Sequence, residues 1–129
     1  MLQEERIKLQ KEICFFGRKH GKALSSTQQN LLNNLLPKLL LDLNNLNEFF
    51  SNDAKFTDFH LEIGFGGGEY LLHHANSRLN TKFIGIEPFI SGMVKLLTSL
   101  AKKPELTDNI RLYNEDAAKL LKKIPTNSL

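Results

Sequence analysis

The sequence predicts an α/β fold, a doubly wound parallel sheet with helices between its strands, and three observations make that prediction. The first is a short apolar alternation, Phe59, Leu61 and Ile63, that runs into the glycine loop Gly64-Phe65-Gly66-Gly67-Gly68 and then into a helical pattern starting at Tyr70, Leu71, Leu72 and Ala75. The second is that two further strand patterns follow, Lys82 to Glu87 and Ile110 to Asn114, each separated from the last by helical sequence. The third is that an acid stands at the carboxyl end of each strand: Glu62, Glu87 and Asp116. Strands alternating with helices build parallel sheets by right-handed crossovers, and such sheets bind ligands at the carboxyl ends of their strands.

Three segments are expected in order. Residues 1–24 form a basic arm in which Arg18, Lys19, His20 and Lys22 cluster between Gly17 and Gly21, with Arg6 and Lys11 upstream. The cluster is too polar for a core, and it reads either as a solvated loop or as an arm that reaches for phosphates. Residues 25–56 form a helical packing segment. Ser25, Ser26 or Thr27 caps a helix with Leu31, Leu32, Leu35 and Leu36 on one face, which Pro37 ends or kinks. Leu39 to Leu41, Leu43 and Leu46 continue the apolar pattern to Phe49-Phe50, and the Asn pairs interrupt any sustained heptad. Residues 57–129 carry the strands and the glycine loop.

Gly64, Gly66, Gly67 and Gly68 let the backbone turn sharply and approach a ligand, while the helix behind them points its free N–H groups at it. Glu69 stands where the dinucleotide-binding spacing G-x-G-x-x-G requires its last glycine or alanine, which argues against a nicotinamide-dependent oxidoreductase half. Glu87 follows the loop by roughly the twenty residues that place a carboxylate against the two hydroxyls of a ribose. Asp116 lies on the same edge, where it can accept from an adenine amino group. For Glu87 or Asp116 taken alone, a strand terminator or a cap on the next helix explains the acid as well.

Composition is that of a globular protein, with 41% apolar and 24% charged residues and a net charge of +3 over 129 residues. No apolar run has the length to span a bilayer, and the charged residues after Met1 do not resemble a secretory signal. The single Cys14 has no internal disulfide partner, so a reducing cytoplasm is expected. Lys102-Lys103 and Lys122-Lys123 read as charges at helix carboxyl ends. His73-His74 are adjacent on a helix and diverge by about 100°, so they do not share a metal.

Several of these motifs, in order, resemble one family. Phe15-Phe16-Gly17-Arg18-Lys19-His20-Gly21-Lys22 with Leu24 through Gln29 resembles the opening motif of bacterial tRNA (guanine-N7)-methyltransferases, which are class I S-adenosylmethionine-dependent enzymes. Leu61 to Glu69 is similar to their first cofactor motif, and Phe83 to Phe89 with Gly92 to their second-strand motif. Asn109 to Leu112, Asp116-Ala117, Leu120-Leu121, Ile124-Pro125 and Ser128-Leu129 fit their third-strand region.

The resemblance implies a Rossmann-like methyltransferase fold, truncated after the third strand, with an N-terminal basic arm and a helical segment. It implies S-adenosyl-L-methionine as cofactor, bound by Glu62, Gly64, Gly66 and Gly68 at the methionine end, Glu87 at the ribose and Asp116 at the adenine. It implies tRNA as partner, contacted by Arg18, Lys19 and Lys22, and methylation of guanine N7. The family's Phe-Pro-Asp-Pro-Trp motif has no counterpart, since the chain holds no Trp, so the acid associated with catalysis is expected beyond Leu129. The chain therefore looks like an amino-terminal half, inactive alone or completed by a second polypeptide, with the outer edge of its first strand unpaired. A noncatalytic RNA-binding or interaction remnant is the other reading.

Overall fold

The computed structural model describes residues 23–51 and 55–125, so Arg18, Lys19 and Lys22 lie outside the described residues. The strands are β1 (Asp58–Ile63), β2 (Thr81–Ile86) and β3 (Ile110–Tyr113), within a residue or two of the sequence pattern. They form a parallel sheet in the order β1-β2-β3, with Leu61 opposite Ile84 and Ile84 opposite Arg111. Among the described residues β1 has a strand neighbour on one side only. The outer side of β3 is touched by the amino-terminal segment, where Leu40 forms a bridge to Leu112 and the Leu41 N–H donates to the Leu112 carbonyl at 2.8 Å.

Ahead of the sheet, α1 (Ser26–Asn34) begins on a capping box: the Gln28 N–H donates to Ser25 Oγ at 3.1 Å and the Ser25 N–H to Gln28 Oε1 at 3.0 Å. The chain breaks at Leu35 and restarts as α2 (Leu36–Leu39), with Pro37 in the first turn where its missing N–H costs no bond. The apolar run beyond it does not form one helix. It divides into a 3-10 turn at Leu43–Asn45, whose start is capped by Asp42 Oδ1 accepting from the Asn44 N–H at 3.0 Å, and the short α3 (Leu46–Phe49). Between the strands lie α4 (Glu69–Ser77) and α5 (Ile90–Lys102), and α6 (Ala117–Leu121) follows β3. Lys102 ends α5, and Lys122 caps the carboxyl end of α6, as expected of those lysines.

Two apolar clusters lie against the sheet. Against Phe83, Ile110 and Leu112 pack Leu32 and Leu36, Leu71 and Ala75 of α4, and Met93, Val94, Leu96, Leu97 and Leu100 of α5. Against Ile84, Ile86 and Tyr113 pack Leu41, Leu46 and Leu120. Each fully buried side chain of this kind contributes about 1.5–3 kcal/mol, and α5 buries six of them: Ile90, Met93, Val94, Leu96, Leu97 and Leu100. Lys82 supports the start of β2: its ammonium donates to the Phe49 carbonyl at 2.9 Å and lies 5.2, 5.6 and 6.0 Å from the ring centres of Phe49, Phe56 and Phe59.

Candidate functional site

At the carboxyl edge of the sheet, β1 passes into the glycine loop. Gly64, Gly66 and Gly68 have φ of +70°, +61° and +83°, a left-handed conformation that side chains oppose. At Gly64 and Gly66 a Cβ would meet only open space, so the backbone conformation alone selects glycine there. Gly68 is crowded as well, since its Cβ would stand 2.5 Å from Leu96 Cδ1. The loop is tied down at three points. The Gly64 N–H donates to the Ile86 carbonyl at 2.7 Å, the Gly68 N–H to the Phe65 carbonyl at 2.9 Å, and the Phe65 side chain is buried over Gly85.

Glu87 makes a fourth tie. It is only 6% exposed, one residue beyond β2, and its Oε1 accepts from the Gly66 N–H at 2.8 Å while Oε2 accepts from the Phe89 N–H at 3.2 Å. One carboxylate thus couples the glycine loop to the turn that opens α5. Each oxygen keeps a second lone pair, so the group remains able to accept from a ligand. A cleft of about 390 Å³ opens here, lined by Gly66, Gly67, Glu87, Phe89, Ser91, Gly92 and Lys95. That volume falls in the range of small-molecule sites.

The other acids stand outside the wall of this cleft. Glu62 sits within β1 rather than after it, and its Oε2 is buried with no hydrogen-bond partner. A buried carboxylate oxygen without a donor costs about 1–3 kcal/mol or more, which a folded protein accepts where a ligand supplies the donor. Asp116 is the cap of α6, its Oδ1 accepting from the Ala118 N–H at 2.9 Å. The capping alternative raised from the sequence therefore describes Asp116, and in part Glu87, without excluding a second acceptor role for either.

Three contributors went unseen in the sequence as site residues. Gly92 abuts the loop, since a Cβ on it would overlap the Gly66 carbonyl oxygen and stand 2.9 Å from its carbon. Phe89 is 59% exposed at the rim of the cleft. Lys95 forms an ion pair with Glu69 at 2.9 Å. Each depends on how α5 lies against the loop; Phe89 and Gly92 stand in the second-strand motif without a role there, and nothing in the local sequence marks Lys95.

A parallel sheet with a glycine loop after its first strand and an acid bonded to that loop after its second is the Rossmann-like arrangement. A solved structure titled "Structure of an Antibiotic Related Methyltransferase" is similar in fold alone, with a TM-score of 0.50 and 24% identity over 64% of this chain and 41% of that one. Residues 57–129 match the family model described as "Putative methyltransferase", and the chain belongs to that methyltransferase family. It is 48% identical over 120 residues to a tRNA (guanine-N(7)-)-methyltransferase of Brucella anthropi, which covers 89% of this chain and 50% of that protein. It is likewise 48% identical over 121 residues to one of Bartonella henselae, covering 90% and 51%. A relative of the same name from Rhizobium etli is 47% identical over 121 residues. The chain spans about half the length of the curated relatives it matches. Family membership implies a methyl donor, and among the described residues no helix is long and apolar enough to cross a membrane.

Proposed function

We propose that this chain is the cofactor-binding half of an S-adenosylmethionine-dependent tRNA (guanine-N7)-methyltransferase. The observation that carries the reading is the buried, unpartnered Oε2 of Glu62 next to the glycine loop. A negative acceptor in that position suits the ammonium group of a methionine moiety, and it repels the pyrophosphate of a nicotinamide dinucleotide. Glu62 and the Gly64, Gly66 and Gly68 backbone hold the methionine end, Glu87 accepts from the ribose hydroxyls, and Asp116 accepts from the adenine side. The bound cofactor supplies an electrophilic methyl group on sulfur.

Guanine N7 already carries an in-plane lone pair, so no general base is required of this half. Its residues bind and orient, and rate enhancement comes from holding the reacting atoms in line at about 3 Å. Arg18, Lys19 and Lys22 contact tRNA phosphates, and tRNA is selected by shape. The relatives' printed name and the order of matched motifs support the substrate.

Thermal unfolding of the chain with and without S-adenosylhomocysteine tests the cofactor assignment. A ligand that binds only the native state stabilises it by about 2.7 kcal/mol at a hundredfold excess over Kd, so the midpoint rises. A cooperative transition whose midpoint is indifferent to the ligand overturns the assignment. Retention of tRNA by such a chain would favour the RNA-binding remnant instead.

A further inference from the structure

The rim of the cleft carries an ion pair with no role in the account above. Lys95 projects from α5 into the cleft wall, Glu69 is the first residue of α4, and the Lys95 ammonium lies 2.9 Å from Glu69 Oε1. The pair passes directly over the glycine loop: a Cβ on Gly67 would stand 2.6 Å from Lys95 Cδ and 2.8 Å from Glu69 Oε1. Hydrogen bonding to Lys95, then to its own backbone, holds the Glu69 carboxyl below the usual carboxylate range, so the pair stays charged. Both side chains are 67% exposed, within reach of an entering ligand.

A lysine ammonium beside a glycine loop is the arrangement that recruits phosphate, and the start of the following helix adds positive potential. Here a carboxylate already occupies that field. We propose that the Glu69–Lys95 pair is a charge filter on the cofactor cleft. Glu69 cancels the Lys95 cation, so nucleotides bearing phosphate gain no counter-ion, while a nucleoside bearing a cationic sulfonium meets no repulsion. The filter rests on the S-adenosylmethionine reading and names what that site rejects.

The full chain, Glu69→Gln and Lys95→Gln are titrated at low ionic strength with S-adenosylmethionine, S-adenosylhomocysteine and ADP. Glu69→Gln exposes the ammonium and raises ADP affinity about fivefold, a gain that vanishes near 0.5 M salt as screening shortens to about 4 Å. Lys95→Gln leaves an uncompensated carboxylate and raises the preference for the cationic S-adenosylmethionine over neutral S-adenosylhomocysteine about threefold. The reversed pair Glu69→Lys with Lys95→Glu returns both ratios toward those of the parent. If S-adenosylhomocysteine binds and neither single substitution moves its ratio, the pair is an ordinary surface contact and only the filter fails. If the parent binds neither S-adenosyl compound, the cofactor reading fails and the filter with it.

Discussion

Replacing Gly92 with alanine tests the coupling between α5 and the glycine loop. The added carbon would stand 2.9 Å from the Gly66 carbonyl carbon and 3.2 Å from Glu87 Cγ. Ordinary carbon contacts lie near 3.5–4.0 Å and the Gly66 carbonyl oxygen is closer still, so the loop must retreat by at least roughly 0.6–1 Å. The Gly66 N–H to Glu87 Oε1 bond, now 2.8 Å, then stretches to the limit of hydrogen bonding or past it. A bond to a charged acceptor is worth about 1.5–3 kcal/mol, and overpacking adds about 1–3 kcal/mol. Alanine in a helix returns at most about 1 kcal/mol. The net expectation is a loss of roughly 1.5–5 kcal/mol of stability. A shift of the loop at a site that needs close alignment should also weaken S-adenosylhomocysteine binding by more than about tenfold. Urea unfolding and ligand titration of the same preparation read both effects. A Gly92→Ala chain as stable as the parent, with unchanged affinity, would mean that the loop yields freely and that Glu87 does not fix it.

Glu62→Gln keeps the shape and removes the charge. Stability should hold or rise, while S-adenosylhomocysteine affinity falls about 10- to 100-fold by calorimetry, and unchanged affinity would leave Glu62 with no part in binding. Glu87→Ala frees both the Gly66 and the Phe89 N–H groups, so cofactor binding should be lost with tRNA affinity nearly intact in a gel-shift assay, and retained cofactor affinity would remove the ribose role. Burial first, then the charges of His74 and Arg78, hold His60 below its ordinary value. The unfolded chain therefore binds the proton more tightly. His60 contributes stability that is fully present above pH 6.5 or so and lost as pH falls through its folded value. His60→Gln should flatten the fall in urea midpoint between pH 7.5 and 5.5, and an equal fall in both chains would refute the assignment.

The strands and the loop were legible in the sequence because both are local patterns: alternation for β1, an apolar run for the buried β2, and glycines where φ must be positive. Glu62 and Glu87 could be located for the same reason, since each adjoins a strand end. The partners of Glu87 could not. Gly66 lies far from it in sequence, and only the docking of the loop on β2 brings them together. The setting of Lys82 escaped similarly: Phe49 and Phe59 read as a helix end and a strand residue, and their meeting under one ammonium follows from tertiary packing. The leucine-rich stretch after Pro37 was legible as apolar packing sequence, while its division into a 3-10 turn capped by Asp42 and a short helix was not marked by the leucine spacing.

The strand order β1-β2-β3 also has a kinetic meaning, because it repeats the order of synthesis. As the chain leaves the ribosome, each new strand finds the growing edge supplied by the one before it, so the sheet can assemble vectorially through short crossovers of low closure entropy. The contact from Leu41 to Leu112 is different in kind. It joins the early leucine-rich segment to β3 and forms only after β3 has emerged, so that segment must wait for its partner until residue 112 has been made. Nascent chains halted before residue 110 should consequently be the form that chaperones hold.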